Sequence, residues 1–245
     1  MPTSQFIIKA SLAALATGLG AVPFIFVPDI GKKWFSTFYA IAAGLLLGAS
    51  FGLVSESQEF YQPLVFLGMV IGVFSMGLLH NALENRTDLK LGAIQGSSGI
   101  KALIILGALT IHAFADGISI GVSYAGSESL GDLITTAIAF HNIPVGLAIC
   151  AVLIPQGVKP FKAAGLSILA SIPQPLMAVP AFFFVTALAP LLPIGIGFAA
   201  GSLVWVVFAE LIPDAFENIS HNRVGIITGL SFIAMLAFQA FMIGG

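Results

Sequence analysis

His112 and Asp116 stand four residues apart in an apolar stretch. On a helix that spacing puts imidazole and carboxylate on one face, about one turn apart. A second histidine, His141, opens a similar stretch, followed by Asn142 and then Pro144. Imidazole with carboxylate and amide oxygens is the donor set of zinc and other late first-row dications. Pro144 brings no amide hydrogen, so the carbonyl of Phe140 loses its helical partner and offers one more oxygen. Further on, Ser171-Ile172-Pro173-Gln174-Pro175 interrupts a helix with two prolines and supplies the neutral amide of Gln174. His-Glu-x-x-His does not occur, so the pattern points to binding a dication rather than to a metalloprotease. The competing enzyme reading is a membrane-embedded, metal-dependent hydrolase acting through a metal-bound water.

The elements that must position these side chains follow from the composition. The chain has 245 residues, 58% hydrophobic and only 8% charged, with a formal net charge of -2. Its mean hydropathy is +1.05. A soluble domain carries about 25% charged residues, so a soluble enzyme is excluded, and the charge offers no basic surface to nucleic acid. The one cysteine, Cys150, cannot form an internal disulfide. Apolar runs long enough to cross a bilayer fall near 5–27, 35–55, 63–83, 100–124, 130–154, 162–188, 194–216 and 223–243. The expected fold is all-α and polytopic, a single transmembrane domain over 1–245 with eight helices and short loops. The first run is too long for a cleavable signal and lacks a small-x-small site, so it is read as a span.

Loops 1–2, 3–4, 5–6 and 7–8 hold Lys32, Lys33, Arg86, Lys90, Lys101, Lys159, Lys162 and Arg223, eight of the nine basic residues. Short cytoplasmic loops retain positive charge, so both termini are expected outside, in a plasma or inner membrane. Spans 4 and 5 share a pattern, His112 to Gly117 and Ile120 matching His141 to Gly146 and Ile149. Spans 2 and 7 echo each other as Ala42-Ala43-Gly44 with Phe51 and Ala199-Ala200-Gly201 with Phe208. Each pair joins one inward-running and one outward-running helix, the sign of inverted repeats that build a site near the bilayer midplane.

An ionised carboxylate at mid-membrane costs roughly 2.5–3.5 kcal/mol on insertion scales, so Asp116 must face a cavity, a partner or a cation. The plain alternative is that these polar groups only hydrogen-bond helix to helix. Repetition of the histidine, with an ionisable Asp one turn away, favours the metal.

Taken together the residues resemble the ZIP (Zrt/Irt-like) family of metal transporters, most specifically in His112-Ala-Phe-Ala-Asp116-Gly117 and His141-Asn142-Ile-Pro144-Val-Gly146. Supporting stretches are Ala16 to Pro23, Gly197 to Gly201 and Glu210-Leu211-Ile212-Pro213. The resemblance implies a carrier bringing a divalent cation into the cytoplasm, zinc first, with iron, manganese or cadmium as other cargoes. The metal is then transported substrate, not a cofactor, and the partners are the ion and the lipid bilayer, with a homodimer allowed by Gly68, Gly72 and Gly77. It places His112 and His141 at a first metal position, Asp116, Asn142 and Gln174 around it or a second, and Glu210 on the exit route.

Three substitutions depart from the family pattern: Ala113 stands for Asn, Val145 for Glu or His, and Gln174 for Glu. With two bridging carboxylates gone, a single ion is expected, and a non-transporting relative serving as scaffold or metal sensor becomes the second alternative. Asp214 and Glu217 read as solvated helix ends, His80 and His221 as interfacial residues, and the loop 83–90 as free of histidine.

Overall fold

The computed structural model describes residues 3–26, 31–57, 61–84, 90–91, 94–95, 97–185 and 189–244. Among the described residues, eight helices are long and apolar enough to cross a membrane: α1 (Gln5–Phe26), α2 (Lys32–Ser55), α3 (Gln62–Ala82), α4 (Lys101–Gly126), α5 (Glu128–Gln156), α6 (Pro160–Phe183), α7 (Leu192–Phe216) and α8 (His221–Phe241). Helix is the form that satisfies every backbone amide inside hydrocarbon without a neighbour. The spans match the expected runs to within a few residues. The expected end of span 6, at 186–188, lies outside the described residues, as does most of the loop 83–90. One departure from an all-helical chain is a two-residue antiparallel ladder between α3 and α4, pairing Lys90 with Gln95 and Leu91 with Ile94.

α5 is the centre of the bundle, with 72% of its apolar window buried, whereas α8 at 11% and α3 at 22% lie on the outside. The main helix pairs are α3 with α7, α2 with α8, α4 with α6, and α1 with α5. Exchanging α1 with α6, α2 with α7, α3 with α8 and α4 with α5 maps this set onto itself. Each exchanged pair is separated by an odd number of crossings and so runs in opposite directions, which makes the two halves inverted copies.

Sequence and local structure follow the same exchange. α1 passes into a tighter 3-10 turn at Thr17–Ala21, and α6 breaks at Ile172 between Ser171 and Pro173, whose ring removes a helical donor. Ala21-Val22-Pro23 recurs as Ala178-Val179-Pro180, so Thr17 of α1 corresponds to Gln174 of α6. The repeat-matched Gly117 and Gly146 lie against those two residues. A Cβ on Gly117 would stand 2.3 Å from the carbonyl oxygen of Gln174, and one on Gly146 only 1.7 Å from that of Thr17. Only the absence of a side chain lets α4 meet α6, and α1 meet α5, so closely.

Gly68 and Gly72 are likewise taken up inside the chain, against the carbonyl oxygens of Ile194 and Phe198 on α7. They therefore do not form a face for a second copy. Ser57, in a loop between α2 and α3, is buried and donates to the carbonyl of Val54.

Overpacking a tight helix contact costs typically about 1–3 kcal/mol. Gly146→Ala is expected to lower the thermal-unfolding midpoint in detergent, while Gly165→Ala, with nothing within 4 Å of its added carbon, leaves that midpoint unchanged.

Candidate metal centre

His112 and Asp116 project from the middle of α4 and His141 from the middle of α5, the two helices that the inverted repeat exchanges. All three are buried, at 1%, 2% and 5% exposure. His112 Nε2 lies 3.2 Å from His141 Nε2. Asp116 Oδ2 lies 3.5 Å from the first of these atoms and 3.3 Å from the second. Ligands bound 2.0–2.1 Å from a tetrahedral zinc stand about 3.4 Å from one another. The two nitrogens and the oxygen thus form one face of such a tetrahedron, leaving the fourth position to water or another oxygen. Among the described residues this is the one group of three His, Cys, Asp or Glu side chains whose ligand atoms converge in this way.

The surroundings are apolar. Ala113 and Val145, which stand where the family pattern has polar ligands, are buried at the core. His112 Nδ1, on the far side of its ring, is buried without a hydrogen-bond partner. Metal-binding imidazoles are ordinarily oriented through that second nitrogen; here packing within α4 and α5 holds the ring instead.

The other two expected ligands are engaged elsewhere. Asn142 Nδ2 donates to Gln174 Oε1 and to the carbonyl of Ala13, each at 2.8 Å. Gln174 Nε2 reaches the carbonyl of Ala10 at 3.4 Å. These bonds tie α5, α6 and the regular helical part of α1 together, and none runs to His112, Asp116 or His141. Thr17 Oγ1 and Ser171 Oγ add a further link between α1 and α6 at 2.8 Å.

Glu210 sits on α7 inside a π-helical turn, Val207–Leu211. Such turns widen a helix by one residue and concentrate at functional positions. The expectation that Asp214 is a solvated helix end is corrected: it is buried and ion-paired with Lys101. Lys101 is therefore part of the bundle's interior rather than a simple loop charge. His80, expected at the interface, turns its Nδ1 to 3.2 Å from Glu210 Oε1. Glu217 is exposed, and His221 is exposed and stacked on Phe216. Sequence reasoning named Glu210, Asp214 and His80 singly but missed the cluster, because its members come from three helices and meet only through packing.

At the opposite end of the bundle Lys9 of α1 pairs with Asp132 of α5, which also accepts from Tyr124 Oη of α4 at 2.6 Å.

Residues 80–237 match the family described as ZIP Zinc transporter. A protein of Arabidopsis thaliana, named provisionally as a zinc transporter, is 43% identical over 229 residues, which are 92% of this chain and 37% of that protein. The zinc transporter GufA of Myxococcus xanthus is 30% identical over 227 residues, 86% of this chain and 89% of its own. The zinc transporter ZupT of Chlorobaculum parvum is 30% identical over 249 residues, 91% of this chain and 93% of its own. This chain thus spans little more than a third of the Arabidopsis relative and nearly all of the two bacterial ones. On eight apolar helices, a family match over well more than half the chain and these relatives, the chain belongs to the ZIP family: it is a multi-pass integral membrane protein of the transporter class, not an enzyme.

Proposed function

We propose that this protein carries a divalent cation, zinc first, through the triangle of His112, Asp116 and His141 toward the end of the bundle that bears Glu210 and Asp214. The observation that supports it is the spacing of the three buried ligand atoms, 3.2, 3.3 and 3.5 Å, one edge length of a zinc tetrahedron. Iron(II), manganese and cadmium are alternative cargoes, since geometry and supply override intrinsic affinity among such ions. The basic loops assign the Glu210 end to the cytoplasm of a plasma or inner membrane, and hence inward transport. One chain supplies the whole triangle, so a homodimer would add no ligand to it.

The central charge fixes the stoichiometry of this reading. One carboxylate against one dication leaves a net positive charge in a low-dielectric region, so a second ion beside the first is strongly disfavoured. Asn142 and Gln174 act as a clasp that sets the distance between α5 and α6, with Asn142 Oδ1 the one amide oxygen of the pair not engaged in their mutual bond. A scaffold or sensor role, motivated by Ala113, Val145 and Gln174, gains no support from the triangle, whose open fourth position suits exchange of the ion.

Three outcomes follow. Asp116→Ala abolishes zinc uptake into proteoliposomes while the protein still inserts, and His112→Ala or His141→Ala weakens zinc binding by at least about tenfold, a loss of about 1.4 kcal/mol; parental uptake by all three variants would end the proposal. Equilibrium dialysis finds one zinc per chain, and Val145→Glu, one turn from His141, raises the affinity by about tenfold or more because its charge faces the unbalanced ion. Ser129→Cys, exposed at the start of α5, is labelled by an impermeant thiol reagent from outside, and Asn222→Cys, exposed at the start of α8, only after permeabilisation. The reverse labelling pattern would reverse the direction of transport.

A further inference from the structure

A second set of charges lies inside the bundle, between the central triangle and the loops 1–2, 5–6 and 7–8. Lys101, at the start of α4, extends its ammonium to α7, where Nζ stands 3.6 Å from Glu210 Oε2 and is ion-paired with Asp214. The two carboxylates are one turn apart on α7, and their side chains are 5% and 11% exposed, against 26% for Lys101. His80 of α3 faces the other oxygen of Glu210. Beside the pair is a cavity of about 350 Å³, lined by Lys32, Tyr39, Lys101, Asp214, Glu217 and Asn218. Lys32 and Glu217 are exposed, so the cavity runs from the ammonium out to that surface.

Two buried carboxylates on one helix need a cation or a proton, because leaving such charges uncompensated is strongly destabilising. Lysine fits that need while remaining mobile: its charge is compact and its four-carbon stem flexible. A dication compensates both carboxylates at once, where one ammonium compensates only half their charge. His80, Glu210 and Asp214 also supply one imidazole and two carboxylates, ligand types that zinc accepts, although with the ammonium in place their ligand atoms do not converge as those of the central triangle do.

We propose that Lys101 is a tethered stand-in for the cargo: its ammonium occupies the Glu210–Asp214 pair between passages, and a dication arriving from the centre displaces it into the cavity. The returning ammonium then competes the dication off, so the pair is never empty and never holds the ion tightly. That is what release requires of a site that binds well enough to be occupied. The inference rests on the carrier reading, but its test is a binding measurement that does not depend on uptake.

In the unaltered chain in detergent, saturating zinc should raise the labelling of Lys101 by a water-soluble amine reagent several-fold, leaving the exposed Lys159 unchanged. Labelling of Lys101 that is indifferent to zinc overturns the proposal, even if the protein transports zinc in vesicles. Dialysis supplies the second arm, with Asp116→Ala as the background that removes the central site. Adding Lys101→Met, or Lys101→Gln should the first variant fold poorly, should raise zinc affinity at the inner pair at least tenfold. Adding Glu210→Gln should cancel that gain, and Lys101→Arg should give none. Equal zinc binding with and without the neutral substitution, or a gain that survives Glu210→Gln, would show that Lys101 does not stand in for the ion. Should the unaltered chain fail to move zinc while these binding results hold, the carrier reading falls and the displacement stands.

Discussion

A carboxylate that is 2% exposed in the middle of an apolar bundle is the constraint around which the rest is arranged. Asp116 has no water to face, so positive or hydrogen-bonding groups must be brought to it. Two imidazoles from adjacent helices do this, and they reach it only because α4 and α5 cross at matching depth. That depth is fixed by the close approach of each helix to its own partner, α6 for the first and α1 for the second. Other polar groups of the interior serve these contacts: Asn142 with Gln174, and Thr17 with Ser171, close the helix interfaces where the regular backbone pattern is interrupted.

The parts of this arrangement legible in the sequence were those written in local spacing. Eight apolar runs announce eight helices, and His112 with Asp116 at helical spacing, repeated in part by His141, announces the triangle. What was not legible depends on rotation of one helix against another. Gln174 read as a ligand because it stands where the family pattern has Glu. In this structure its oxygen accepts from Asn142, a contact between α5 and α6 that no spacing within either helix encodes. Asp214 read as a solvated end because it follows Glu210 by one turn toward the loops; only the packing of α4 beside α7 brings Lys101 to it.

The repeat was half legible. The matched histidines, glycines and alanines of spans 4 and 5, and 2 and 7, were visible as sequence, whereas the correspondence of Thr17 with Gln174, written in the recurrence of Ala-Val-Pro, showed its structural role only through the glycines that face them. The two positions have diverged in chemistry while keeping the same backbone role, each presenting its carbonyl to a glycine of the facing helix. Family likeness of this kind resides in backbone approach as much as in ligand identity. That explains how the chain retains the family's architecture with Ala113, Val145 and Gln174 at positions where the pattern has other residues.

The glycine contacts have a mechanical consequence. With a carbonyl of one helix pressed against the backbone of the next, α1 and α5 have little freedom to slide past each other, and the same holds for α4 and α6. The triangle straddles the seam between these two couples, with His141 on one side and His112 and Asp116 on the other. Polar contacts across it, such as Asn142 with Gln174, are of a kind that reforms after a shift. A tetrahedral edge has little slack, since a shear of about 1 Å carries an imidazole nitrogen out of bonding range. In the proposed carrier the hold on the ion and the register of the two couples would consequently be one variable, because a coordination shell that spans both is loosened by shear between them.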